Sequence, residues 1–349
     1  MIKRRDFIRN TAVSSLLVGM PVRLKSNIDS PKVSLEIIRP QRLKKGDIVG
    51  LIAPGYSITP EMLEKSVNAT KAMGMEPYYT QRIFGYHGYL SNTDDERAKD
   101  LMDMFTNEQV KGIFCIRGGY GCTRILNLLD YNLIAQTPKI LLGYSDVTAL
   151  LNAFYMKIGL IGFHGYMGPE PDSYAYNAVK NMVTNPKEKC TIKNFEFDDE
   201  AFADVVYDRY IITSGKASGK LVGGNLSLLS AMNGTDYDID YTDKLVCIED
   251  VGEAPYRIDR MLTQLLSTPS FKEAAGVIFG VCAGCDKKEG TDSFSLKEVI
   301  MDRIAPLGIP AVYGMSFGHI SESFTFPIGI EATLDADNFT LQLQQSPLV

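Results

Sequence analysis

Three residues stand where a reacting side chain would be useful. Ser145, Glu249 and His319 each follow a short apolar run, at the point where the chain turns away. A serine hydroxyl is a poor nucleophile until an imidazole takes its proton, and a carboxylate fixes that imidazole's tautomer and stabilises its cation. The three types together suffice for acyl transfer. Such chemistry also needs fixed donors for an oxyanion. The N–H of Asp146, next after the serine, is one candidate. The N–H of Gly119, in the Gly118-Gly119 turn after a neighbouring strand, is another. With only three histidines (87, 164 and 319), any mechanism using imidazole has few choices.

Each position also has a plainer reading. Ser145 or Asp146 before a helix suits an N-cap, and capping is the expected job of the Asp146 carboxylate. His164, flanked by glycine in GFHGYMGPE, is an alternative base but better suits shaping a pocket. His87 belongs to an aromatic surface loop. Glu253 competes with Glu249 but lies further into its loop. Asn225 and Tyr120 are carried as substrate-contacting candidates, with helix capping the alternative for Asn225. Arg117, Arg257 and Arg260 are able to fork onto a substrate carboxylate, or to form surface ion pairs.

The elements that position these residues follow from apolar periodicity. Ile140-Leu141-Leu142 reads as a buried strand, and the chain turns at Gly143-Tyr144-Ser145-Asp146. Beyond the turn, Val147, Leu150, Leu151 and Phe154 fall at i, i+3, i+4 and i+7, the stripe of a helix. The turn lacks the second glycine of a G-x-S-x-G nucleophile elbow. Strand–helix alternation around it, with strands expected at 46–53, 76–83, 112–116 and 158–163, predicts a parallel sheet covered by helices. Residues 170–204 are polar with little periodicity and read as a junction. Beyond them, strands are expected at 205–213, 217–222, 245–248, 275–281 and 311–315. Helices are expected after Asn225, around 258–265 and at 296–304. The tail, 326–343, alternates like an antiparallel hairpin. The expected fold is α/β, with an N-terminal parallel-sheet domain and a second, mixed α/β domain, the active site lying between them. The expected division is 1–35 signal and linker, 36–170 serine domain, 171–204 junction and 205–349 the domain with Glu249 and His319.

Composition narrows the class. At 349 residues, 45% apolar and 22% charged, the chain suits a soluble two-domain protein. A net charge of −6 gives no basic surplus, so nucleic acid is not an expected partner. Six scattered cysteines do not make a disulfide framework. Cys282 and Cys285 form a lone CxxC after a strand-like run, favouring small apolar residues at a strand end or an opportunistic disulfide over a redox or metal site. Lys3, Arg4, Arg5 and Arg9 precede a short apolar run, Thr11–Met20. The Arg4-Arg5-Asp6-Phe7-Ile8 start resembles a twin-arginine export signal and points to the periplasm, with the cytoplasm the alternative. The run is too short to span a bilayer.

Several stretches together resemble the LD-carboxypeptidase family of serine peptidases, which includes the microcin-immunity peptidases. They are Gly46-Asp47-Ile48-Val49 through Ala53-Pro54, Arg117-Gly118-Gly119-Tyr120-Gly121, and Pro138-Lys139 through Gly143-Tyr144-Ser145-Asp146-Val147-Thr148. Gly223-Gly224-Asn225-Leu226, Ile248-Glu249-Asp250 through Arg260, and Gly318-His319 complete the set, in order, from about residue 38 onward. The resemblance implies Ser145 as nucleophile, His319 as general base, Glu249 as the carboxylate orienting it, and an oxyanion site at the Gly119 and Asp146 amides. It implies no metal or cofactor, a murein tetrapeptide losing its terminal D-alanine as substrate, and a homodimer. Hydrolysis of peptidyl or aminoacyl nucleotides is the alternative within the family. A non-catalytic binding protein for wall peptides is the alternative outside it. The export-like start departs from family members that act in the cytoplasm on recycled wall peptides.

Overall fold

The computed structural model describes residues 36–196 and 205–349; the export-like start lies outside them. The described residues pack as one compact unit.

The first half alternates as its apolar runs dictate: β1 (Ile48–Ile52), α1 (Pro60–Ala72), β2 (Glu76–Tyr78), α2 (Asp94–Thr106), β3 (Val110–Cys115), α3 (Cys122–Ile125), α4 (Tyr131–Gln136), β4 (Ile140–Gly143), α5 (Thr148–Ile158) and β5 (Phe163–His164). Local chemistry sets the helix starts. Thr59 accepts from the Met62 amide ahead of Pro60, and Thr93 caps a first turn carrying Asp94, Asp95 and Glu96. β4 is buried at all four positions, as a strand covered on both faces must be.

The second half adds α6 (Tyr174–Thr184), β6 (Cys190–Ile192), β7 (Tyr210–Thr213), β8 (Lys216–Asn225), α7 (Leu226–Met232), β9 (Lys244–Glu249), α8 (Pro255–Leu266), α9 (Pro269–Lys272), β10 (Gly276–Phe279), α10 (Leu296–Ile304), β11 (Ala311–Tyr313), β12 (Phe326–Pro327), β13 (Glu331–Asp335) and β14 (Thr340–Leu343).

Among the described residues the strands form two sheets, ordered β12-β5-β4-β3-β1-β2 and β6-β14-β13-β8-β9-β10-β11-β7. The first is parallel apart from β12, which runs antiparallel to β5 with Phe326 opposite His164. In the second, β8, β9, β10 and β11 are parallel and the flanking strands antiparallel. The architecture is the expected pairing of a parallel sheet with a mixed one.

Several segments depart from the sequence reading. Of the expected strand over 158–163, Ile158 ends α5, Gly159 caps it in left-handed backbone and Leu160 makes an isolated bridge to Ile38; the strand is only Phe163–His164. The expected strand over 76–83 ends at Tyr78, and Gln81–Phe84 forms a 3₁₀ turn. Within the supposed junction, α6 buries Ala175, Val179, Met182 and Val183 along one face. Val205–Tyr207 is a 3₁₀ turn rather than strand. The tail hairpin is β13–β14 alone, because Phe326–Pro327 crosses to the first sheet.

Candidate active site

β4 delivers Ser145 on a left-handed backbone, φ 58°, a conformation that L residues with a side chain rarely adopt. The 3₁₀ turn Ser145–Val147 then leads into α5. No side chain caps that turn or α5, so the Ser145 hydroxyl is not spent as an N-cap. The Asp146 carboxylate does cap, but on a neighbouring helix: its Oδ2 accepts from the Cys122 amide at 2.8 Å, at the start of α3. Burial pushes the Asp146 carboxyl above its ordinary value.

The glycine turn presses against this elbow. A side-chain carbon at Gly118 would sit 2.9 Å from the Asp146 amide nitrogen and 3.1 Å from Ser145 Cβ. Gly119 has φ 85°, and a carbon there would meet the Tyr56 ring at 2.5 Å, so only glycine fits. The turn is held from outside. The Tyr56 amide donates to Gly118 O at 2.9 Å, and Arg117 donates to Ser57 O at 2.6 Å. The buried Arg97 guanidinium donates to Pro54 O and Gly121 O. The Gly119 and Asp146 amides thus lie on two backbone segments in contact.

β9 and the loop after β11 supply the other two groups. Glu249 is fully buried, and its Oε2 lies 2.7 Å from His319 Nδ1. Burial alone would raise the Glu249 carboxyl, but the His319 charge and hydrogen bond outweigh it and hold it below the usual range. For His319, burial works against the cation, yet the Glu249 charge and hydrogen bond prevail and its pKa is raised. A side-chain carbon at Gly318 would sit 3.3 Å from Glu249 Cβ, so the two loops meet there. Between them runs the CxxC segment, bridging Val251 through Ala283 and Gly318 through Val281. Both of its thiols are buried and unbridged, and burial pushes Cys285 up to about 12.

Ser145, His319, Gly118, Gly119, Arg117, Tyr144 and Tyr166 line one cavity of about 400 Å³. His319 and Tyr144 have ring centroids 5.0 Å apart, and Nε2 of His319 is left for the serine side once Nδ1 is engaged. Among the described residues no hydrogen bond joins the Ser145 hydroxyl to that ring; catalytic contacts of this kind commonly tighten only with substrate bound. The lining is one a serine acyl transfer needs.

The remaining candidates fall elsewhere. Asn225 is buried, caps α7 through Leu228 N, and donates to Asp250 Oδ1 at 3.2 Å. Tyr120 is half exposed beside Tyr89. His164 is buried against Phe326, and His87 is exposed. Glu253 pairs with Arg257 at 3.2 Å, and Arg257 and Arg260 lie over the exposed Tyr256 ring.

Sequence reasoning missed the residues that join the two sheets. Asn152 on α5 donates to Gly223 O and accepts from Gly223 N, at 2.9 and 3.0 Å, while Thr148 Oγ1 accepts from Asn225 N at 3.0 Å. Gly223 and Gly224 have positive φ, and a carbon on Gly224 would meet Thr148 Oγ1 at 2.5 Å. The helix behind the serine is therefore stitched to the strand beside Glu249. The available signal was Asn152 itself, an amide in the otherwise apolar stretch Ala149–Phe154.

Known proteins resemble this chain in sequence and fold. The models of the LD-carboxypeptidase N-terminal and C-terminal domains match residues 49–165 and 218–334. A probable murein peptide carboxypeptidase of Bacillus subtilis is 36% identical over 88% of this chain and 94% of its own. The crystal structure of an MccF-like protein from Bacillus anthracis superposes with a TM-score of 0.77, at 27% identity over 88% of this chain and 99% of that one. A muramoyltetrapeptide carboxypeptidase from Oxalobacter formigenes gives a TM-score of 0.71, at 26% identity over 85% of this chain and 97% of that one. With both domain models matched in order and the relatives covered nearly end to end, this chain belongs to the LD-carboxypeptidase family of hydrolases.

Proposed function

We propose that the protein is a serine carboxypeptidase that removes the terminal D-alanine from murein tetrapeptides. The observation that carries this reading is the 2.7 Å Glu249–His319 couple opening onto the cavity that also holds Ser145 on its strained elbow. Ser145 Oγ attacks the carbonyl preceding D-alanine as His319 Nε2 takes the hydroxyl proton. The Gly119 and Asp146 amides receive the oxyanion. Collapse of the tetrahedral intermediate breaks the C–N bond, with His319 returning the proton to the leaving amine. Water, deprotonated by His319, then cleaves the acyl-enzyme and frees the serine. Glu249 holds the imidazole and stabilises its cation throughout.

The names of the Bacillus and Oxalobacter relatives support the murein substrate. The likeness to an MccF-like structure supports the second reading, hydrolysis of peptidyl or aminoacyl nucleotides. Export to the periplasm through the twin-arginine-like start, assembly as a homodimer, and the domain division at 36–170 and 205–349 belong to the same proposal. Purified protein incubated with a murein tetrapeptide and followed by mass spectrometry tests it. Release of D-alanine that survives a chelator and vanishes in Ser145→Ala is expected. Cleavage of an aminoacyl sulfamoyl nucleotide alone favours the second reading. Binding of tetrapeptide without cleavage overturns both.

A further inference from the structure

Behind the Glu249–His319 couple, unpartnered buried polar atoms of His164 and Glu249 face each other. His164 is 1% exposed, and neither ring nitrogen has a hydrogen-bond partner among the described residues. Glu249 Oε1, fully buried, lacks one too. His164 Nε2 and Glu249 Oε1 lie 3.9 Å apart. A buried carboxylate oxygen without a donor is costly, and each orphan is the complement of the other. The nearby Asn225 amide donates to Asp250 Oδ1 at 3.2 Å and also bears on the Glu249 carboxylate, helping to lower its pKa, but no hydrogen bond from it reaches Oε1.

The His164 ring is fixed by its surroundings rather than by polar contacts. It stacks on Phe326 at 4.7 Å and 19°, because β12 places Phe326 opposite it. Tyr144 meets it edge-on at 6.4 Å. A carbon on Gly224 would approach its Cδ2 to 3.0 Å. Burial pushes the ring's pKa down to about 4 in spite of the Glu249 charge, so at neutral pH it is uncharged and carries one N–H.

We propose that His164 is a positioning residue whose neutral ring donates its Nε2–H toward Glu249 Oε1, fixing the carboxylate so that Oε2 stays on His319 Nδ1. The proposal rests on the triad reading. The gap is about 1 Å beyond a hydrogen bond. It closes by a small turn of the Glu249 carboxylate. The fourth group gives Glu249 Oε1 a donor and leaves His319 as the base on the serine side.

Nitrogen NMR of histidine-labelled wild-type protein tests the tautomer directly. The expected result is a neutral His164 with its proton on Nε2, unchanged from about pH 5 to about pH 9. A proton on Nδ1, or a charged ring, overturns the proposal. Two variants separate positioning from packing. His164→Gln keeps a donor but loses the ring; His164→Phe keeps the stack on Phe326 but loses the donor. His164→Phe is expected to lower kcat by about tenfold or more at nearly unchanged KM, a fraction of what acid–base groups contribute. It is also expected to lose the downfield His319 Nδ1 proton resonance, while His164→Gln keeps both closer to wild type. The reverse ranking in folded variants means the ring only packs and overturns the proposal; if either variant fails to melt cooperatively, the wild-type tautomer decides. The spectra need no substrate. A protein that passes them yet cleaves no tetrapeptide therefore sinks the functional proposal and not this one.

Discussion

Ser145 holds a backbone conformation that costs about 1–2 kcal/mol for a residue with a side chain. Glycine does not carry that cost. Two inactive variants should therefore differ in stability: Ser145→Gly should exceed Ser145→Ala by about 1 kcal/mol in urea unfolding. Equal stabilities would mean that the elbow is not strained. The Glu249–His319 couple fixes the pH dependence. His319 must be neutral to accept the serine proton, and its pKa lies above the ordinary 6.5. The acid limb of kcat/KM should accordingly have its midpoint above 6.5. Glu249→Gln should move that limb to lower pH and reduce kcat by up to about 10⁴-fold. For stability the signs are opposite for the two partners. The raised His319 contributes in full below 6.5, and its contribution is lost as pH rises through the folded value. The lowered Glu249 contributes above 4.5, and its contribution is lost as pH falls through the folded value. Their joint contribution is therefore largest between those two ordinary values.

At the scale of elements, the site depends on how α5 docks against β8. Asn152→Ala leaves the Gly223 N–H and C=O unpaired in a buried seam, each at about 1–3 kcal/mol. A lowered urea midpoint is expected, together with reduced kcat because the serine helix loosens from the strand beside Glu249. Unchanged stability would show that the seam does not join the sheets. The strands that carry Ser145, Glu249 and His319 were legible because each is a short apolar run ended by glycine or a charge. The elbow was legible from Gly143 and the stripe from Val147 to Phe154. Other elements were hidden for physical reasons. α6 buries one narrow face, and Asn177 and Asn181 dilute its period. β12 has two residues, too few for any periodicity, and its place is set by pairing with β5. Ile158 belongs to α5 rather than to the expected strand because Lys157-Ile158-Gly159 is a helix terminus that reads equally as the entry to an apolar strand. Asn152 and Thr148 were passed over because long-range pairing leaves no local trace in spacing.

At the scale of the whole molecule, chain order and spatial order differ. The first sheet ends on β12 from the far end of the chain, and Val349 N donates to Pro40 O at 3.1 Å while Arg42 N donates back to Val349 O at the same distance. The loop after β11 that carries His319 therefore lies between segments anchored to both sheets. Among the described residues no helix is long and apolar enough to cross a membrane. Replacing Arg4 and Arg5 with lysine should empty the periplasmic pool on fractionation of cells, since twin-arginine export depends on the pair. An unchanged periplasmic pool would remove that part of the proposal. The central claim is covalent chemistry at one hydroxyl. Rapid quenching of enzyme with tetrapeptide, followed by mass analysis of its proteolytic fragments, reads it most directly. The account predicts a transient adduct of the shortened peptide on the fragment containing Ser145, absent in Ser145→Ala, whose turnover falls by about 10⁴-fold or more. Steady D-alanine release by Ser145→Ala at near wild-type rate would contradict it.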